Sequence, residues 1–207
     1  MNYKYNSIDE NEILDKYMYD PDFIEWYKIV KHILNSDEFQ KRRLFTHHEN
    51  ESVWYHSIRV SFNAYKFAKK YGYNEYDCTI AGLLHDFYTR AWQDSVGLQR
   101  LDDKYREKFL HPRKLKLFEK HGFTHPIEAL ENSREYFGEY LNDNIENAIA
   151  THMFPLSIFT KYKFPNNNTS LIVMTIDSKE SINLKKEFSF KKILKYTGIS
   201  IREKELN

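Results

Sequence analysis

The chain has 207 residues, a formal net charge of +1, and 41% hydrophobic and 16% aromatic side chains, which suits one domain with a substantial core. The near-neutral charge and lack of a basic tail argue against nucleic acid as a partner, and the longest clean apolar run, "LIVM", falls far short of the roughly 20 residues that span a bilayer. A single cysteine, Cys78, excludes a disulfide framework or a CxxC metal knuckle and suits a reducing cytosol, so a cytoplasmic protein is expected.

Helical periodicity dominates, and no alternating strand stands out. The N-terminus is polar and acidic, unlike a signal peptide, and residues 8–19 predict a short helix. Asp20-Pro21 ends it and starts the next, over 21–34, with Asp20 as N-cap and Pro21 at the first helical position. That helix carries Phe23, Trp26, Tyr27 and Val30. The clearest helix starts at Asn50 or Ser52 and runs to Tyr71, before Gly72. Its Val53, His56, Ser57, Val60, Ala64, Phe67 and Ala68 follow the i, i+3, i+4, i+7 rule. A helix is predicted over 75–87, then short ones at 101–109 and 113–120 within a charged, irregular stretch. "THPIEALENSREYF" starts a helix at Thr124, with His125 and Pro126 in its first turn. Further helices are predicted over 142–151, over 169–184 after the turn "NNNTS" at 166–170, and over 187–197, ending at Gly198. The expected fold class is all-α. A helical N-terminal extension, 1–45, precedes a core domain over 46–185, and a C-terminal helix and tail occupy 186–207. The Tyr- and Phe-rich extension could cover its own core or a second copy of the chain, so a homo-oligomer is one expected state.

Polar residues recur on the apolar faces. His56 lies between Val53 and Val60; His85 shares a face with Ala81 and Leu84; His152 follows Ile145, Ala148 and Ile149; Asp177 sits beside Val173 and Ile176. A buried Asp86 or Asp177 needs a compensating partner. Divalent cations shared by imidazoles and carboxylates would compensate them together, and this donor set suits iron, manganese, zinc or similar ions.

"WYHSIRV" (54–60), "LLHDF" (83–87) and "TIDSKES" (175–181) resemble, in order and spacing, the H…HD…D signature of the HD-domain metal-dependent phosphohydrolases. "THPIEAL" (124–130) and "ATHMFPL" (150–156) resemble the two extra histidine motifs of bimetallic members. The resemblance covers about 46–185. It implies a single helical HD-domain fold with His56, His85, Asp86 and Asp177 as the basic ligand set. His125 and His152 would complete a second metal site, with Asp86 bridging. His121, four residues earlier, competes with His125, which could instead help cap its helix; His152 could simply cap its own helix end.

The implied activity is hydrolysis of a phosphate ester or anhydride, foremost of a nucleotide, by metal-activated hydroxide. Asp86, His85 and His125 are the expected catalytic residues, and the cofactors are two divalent ions, iron, manganese or similar. The basic stretch "HPRKLKLFEKHG" (111–122) is a candidate lid whose Arg113, Lys114, Lys116 or Lys120 meets substrate phosphates, as Arg90 could. Lys179 should point away from the ligand face. His47 and His48 read as loop residues, His32 and His111 as surface or structural, and Phe62, Tyr65 and Phe67 as core. The same six ligands would also serve an HD-type mixed-valence di-iron oxygenase. A nucleotide-binding protein without activity is a further alternative.

Overall fold

A computed structural model describes residues 19–45, 52–88 and 121–181. The helices expected at 101–109, 113–120 and 187–197, and nearly all of that expected at 8–19, lie outside these residues. So do His47, His48, His111, Arg90, Arg113, Lys114, Lys116 and Lys120. Among the described residues the chain is all-α, with seven α-helices, three 3₁₀ turns and no strand. No helix among them is long and apolar enough to cross a membrane.

Helix α1 is Pro21–Leu34, capped by the Asp20 side chain, which accepts from the Asp22 N–H, with Pro21 where a missing N–H costs nothing. Its Trp26, Val30, Ile33 and Leu34 form one buried stripe. Helix α2, Asp37–Gln40, is capped by Ser36 and continues into the 3₁₀ turn Lys41–Leu44. Both are too short for periodicity to reveal. Helix α3, Val53–Tyr71, starts at Ser52, whose Oγ accepts from the Tyr55 N–H at 3.1 Å. It stops at Gly72, whose φ of 74° is left-handed and free of penalty only without a Cβ.

Helix α4 is Glu75–Leu84, capped by Asn74. It ends three residues before the expected 87. The His85 ring takes the Gly82 carbonyl and the Phe87 N–H takes that of Leu84, so i→i−3 bonds close the last turn and the chain leaves the helical path. Helix α5, His121–Phe137, already includes the three residues before the expected Thr124, so Pro126 lies inside it rather than in its first turn. Helix α6 is Asp143–Thr151, with the Asn142 side chain accepting from the Asn144 and Ile145 N–H groups. Helix α7 is Asn168–Ser181, and residues 182–184 of the expected helix lie outside the described residues.

α3 and α4 make the closest crossing. Gly82 lies so near the α3 backbone that a Cβ there would be 2.9 Å from Ser61 Cα. Beside it the Trp26 indole N–H donates to Ser61 Oγ at 2.9 Å, and that hydroxyl donates to the Thr79 carbonyl at 2.8 Å, tying α1 to both helices. The main core joins Trp26, Ile33 and Phe39 to Trp54, Ile58, Phe62, Leu83, Leu84, Leu130, Ile149 and Val173. Residues 21–45 therefore cover the chain's own core. A second cluster, including Val60, Ala64, Phe67, Cys78, Ile172 and Ile176, fills the space between α3, α4 and α7. Phe62, Tyr65 and Phe67 are core, and His32 is exposed, as expected.

Candidate metal centre

The fold brings six polar residues from five helices together. His56 comes from the second turn of α3. His85 and Asp86 follow the last residue of α4. His125 comes from the second turn of α5, His152 from the residue after α6, and Asp177 from α7. All six are buried, with His56 and His85 fully so. They are the six residues picked out from the sequence.

Two groups of donor atoms share one carboxylate: His56, His85 and Asp86, and Asp86, His125 and His152. In the first, His56 and His85 Nε2 lie 3.3 Å apart, and His85 Nε2 is 3.5 Å from Asp86 Oδ2. Asp177 Oδ1 joins this group, 3.0 Å from His56 Nε2 and 3.4 Å from His85 Nε2. In the second, His125 and His152 Nε2 lie 2.9 Å apart, at 3.3 and 3.5 Å from Asp86 Oδ1. The two carboxylate oxygens of Asp86 thus face different histidine pairs.

Local backbone fixes which ring nitrogen points inward. Nδ1 of His85, His125 and His152 lies 2.8 Å from the carbonyls of Gly82, His121 and Ile149 respectively. A carbonyl only accepts, so each Nδ1 carries the proton and, in the neutral ring, each Nε2 presents a lone pair. For His85 and His152 the acceptors are last-turn carbonyls that a helix end leaves without intrahelical partners. Two lone pairs facing each other at 2.9 Å repel unless a proton or a cation lies between them. A cation with metal–nitrogen bonds of about 2.0–2.1 Å holds donors about 3.0 Å apart at a right angle and about 3.4 Å apart at the tetrahedral angle. The separations of 2.9–3.5 Å fall in that range. Nitrogen and carboxylate donors of this kind suit divalent iron, manganese, zinc or cobalt.

Without a cation, the cluster holds itself together by charge. Burial opposes a charged His85, but the Asp86 and Asp177 carboxylates outweigh it and raise the imidazole to about 9. Burial likewise opposes ionised Asp177, yet His85 and His56 hold its carboxyl well below the ordinary value. Burial lowers His152, with His125 and His85 beside it, so that ring stays neutral. One proton on His85 therefore stands in for positive charge among two carboxylates.

Of the competing histidines on α5, it is His125 whose Nε2 reaches the cluster. His121 supplies its carbonyl to His125 Nδ1 and stacks its ring on that of His125, with centroids 4.4 Å apart. Tyr88 lies edge-on to both rings. Lys179 is exposed, off the ligand face, as the helical register required. The sequence reading missed the supports. Arg59 and Asn63, three and seven residues after His56, grip opposite oxygens of Glu180, three residues after Asp177, and so pin α3 to α7 beside the ligands. An i+3 offset from each ligand was the available signal, but nothing local links two segments 121 residues apart.

The HD domain family model matches residues 53–182. The chain belongs to the HD-domain family. The matched span opens on the first residue of α3 and closes one residue beyond α7, so it contains the whole cluster and leaves α1 and α2 outside. HD domains bind divalent metal ions and are, broadly, metal-dependent phosphohydrolases. Comparisons with curated proteins and with solved structures gave no match.

Proposed function

We propose that this HD-domain protein hydrolyses a phosphate ester or anhydride of a small substrate, a nucleotide before other phosphoesters, with two divalent cations as cofactors. The observation that carries the reading is the convergence of inward-facing imidazole nitrogens on Asp86 from two sides, at 3.3–3.5 Å. His56, His85, Asp86 and Asp177 would hold one cation, and Asp86, His125 and His152 the other. When bound, the cations supply Lewis acidity, lowering the pKa of water toward neutrality and offsetting charge on the phosphoryl oxygens.

The chain's own residues do the rest. The carbonyls of Gly82, His121 and Ile149 hold the Nδ1 protons, so the ring orientations are set before anything binds. Asp86 presents one oxygen to each histidine pair and fixes their spacing. The six side chains are buried beside the main core, and low exposure strengthens every charge interaction among them. We further infer that the basic stretch 111–122 and Arg90 meet the substrate phosphates, a role suggested by sequence alone.

A phosphate-release screen over a nucleotide panel, with Mn²⁺, Fe²⁺, Co²⁺ and Mg²⁺ compared, tests the reading. Turnover should proceed without O₂, need added or bound metal, and vanish in His85→Ala and Asp86→Ala while helical content stays. Turnover that survived both substitutions in a clean preparation would overturn the site assignment. Strict O₂ dependence without phosphate release would overturn the reaction.

A further inference from the structure

Arg42 is buried to 1% exposure, unlike any other arginine or any lysine among the described residues. It precedes the family span, in the 3₁₀ turn that follows α2. Its Nη1 donates to the carbonyl of Tyr88, and its Nη2 donates to that of Glu38 at 3.2 Å. The guanidinium carbon sits 4.4 Å from the centre of the Phe87 ring and 5.1 Å from that of Phe45. Its Nη2 also lies 3.9 Å from a carboxylate oxygen of Glu38. Burying a guanidinium this way costs several kcal/mol even after relaxation, and packing alone would be met by Leu or Met. Among the described residues, the guanidinium reaches the Phe87 ring and the Tyr88 carbonyl.

Those groups follow the dyad directly. Phe87 and Tyr88 lie beyond α4, where no helical ladder holds the backbone. Arg42 holds the Tyr88 carbonyl from one side. On the other, Asn132 of α5, the helix that carries His125, donates its Nδ2 to the Phe87 carbonyl at 2.9 Å. The Phe39 and Phe87 rings stack between α2 and this segment. Asp86 faces both donor groups at 3.3–3.5 Å, and a site of this kind tolerates only about 0.5 Å of drift.

We propose that Arg42 is a positioning residue for the metal centre: with Asn132 it clamps the peptide carbonyls after Asp86 and so sets that carboxylate between the two histidine pairs. The inference rests on the metal-centre reading above. It also gives the segment before the HD domain a direct part in the site.

The test is calorimetric titration of the metal-stripped full chain with Mn²⁺, for wild type, Arg42→Met, Arg42→Lys, Asn132→Ala and, as a remote core control, Val30→Ala. Arg42→Met and Asn132→Ala should each weaken Mn²⁺ binding roughly 10–100-fold, the range for partners that orient ligands. Arg42→Lys should rescue only in part, because an ammonium lacks the guanidinium's fork to span two carbonyls. Val30→Ala should lower the melting temperature without moving the affinity, separating positioning from general loosening. If Arg42→Met folds and binds within about twofold of wild type, the proposal fails. Should Arg42→Met not fold, wild-type affinity in Asn132→Ala overturns it equally. A wild-type chain that takes up no Mn²⁺, Fe²⁺, Co²⁺ or Zn²⁺ overturns the metal-centre reading itself, and this inference with it.

Discussion

Gly82→Ala should damage the protein out of proportion to one methyl group. The new Cβ would sit 2.9 Å from Ser61 Cα, 3.2 Å from Ser61 N and 3.4 Å from Val60 C. All three are backbone atoms of α3, so no rotamer change relieves the clash. Carbon atoms settle at about 3.5–4.0 Å, so α3 and α4 must part by roughly 0.6 Å or more. Overpacking of this kind costs about 1–3 kcal/mol, and at roughly 2–4 °C per kcal/mol for a domain of this size the melting temperature falls by about 2–12 °C. The site suffers too, because His56 rides on α3 and His85 caps α4, with their Nε2 atoms 3.3 Å apart. Parting the helices takes that pair toward about 4 Å, beyond the roughly 3.4 Å between two donors on one tetrahedral ion. Differential scanning calorimetry and Mn²⁺ titration of the purified variant check both effects. Gly138→Ala, where nothing lies within 4 Å of the added carbon, is the control and should melt at or slightly above wild type. A Gly82→Ala protein with wild-type melting and wild-type Mn²⁺ affinity would refute the argument that this crossing sets the ligand spacing.

Asp86→Asn should impair cation binding in both donor groups, whereas Asp177→Asn should spare the group of His125 and His152; equilibrium dialysis with Mn²⁺ distinguishes near-complete loss from retention of about one equivalent. Cation binding at pH 7 should release about one proton, because His85, raised to about 9, is charged in the metal-free chain and must deprotonate to ligate. Apparent affinity should therefore rise with pH up to about 9 and then level, and titrations in buffers of different ionisation enthalpy read the proton count. In the metal-stripped chain the same raised value stabilises the fold fully below the ordinary 6.5, and that contribution is lost as pH rises through about 9, so melting temperature should fall across that window. Cys78 is buried and its thiol is pushed up to about 12; at pH 8 the native protein should resist a thiol reagent that the denatured chain consumes at one equivalent.

The starts of α1, α3 and α6 were readable because the capping group is a neighbour. Asp20, Ser52 and Asn142 each bond N–H groups two or three residues on, and Gly72 ends α3 through its own backbone. The end of α4 and the start of α5 went astray. The backbone just past α4 is held by Arg42, 46 residues before Tyr88, and by Asn132, 45 residues after Phe87, and no local pattern announces either. α5 already includes His121, so Pro126 is at least its sixth residue, a placement that the local signal at Thr124 did not announce. His56, His85, His152 and Asp177 were legible as single polar residues on apolar faces, whereas His125 was suggested by resemblance. Their division into two groups around Asp86 was suggested only by resemblance, since it depends on how α5 and α6 approach α4.

His85 and His152 repeat one local device. Each is the first residue past a helix, each lends Nδ1 to the carbonyl three residues back, and the two rings meet edge to face at 5.1 Å. The device does two things together. It satisfies a last-turn carbonyl that would otherwise be stranded in the core, and it aims an Nε2 lone pair along the end of the helix. A helix C-terminus carries roughly half a negative charge, so α4 and α6 both turn a cation-favouring pole on the cluster. Only the first copy is followed by an acid: Asp86 comes after His85, whereas Met153 comes after His152. One carboxylate must therefore serve both histidine pairs, and it lies within 3.5 Å of three of the four rings. This asymmetry makes the backbone after Asp86, rather than any single imidazole, the place where small displacements should cost the site most.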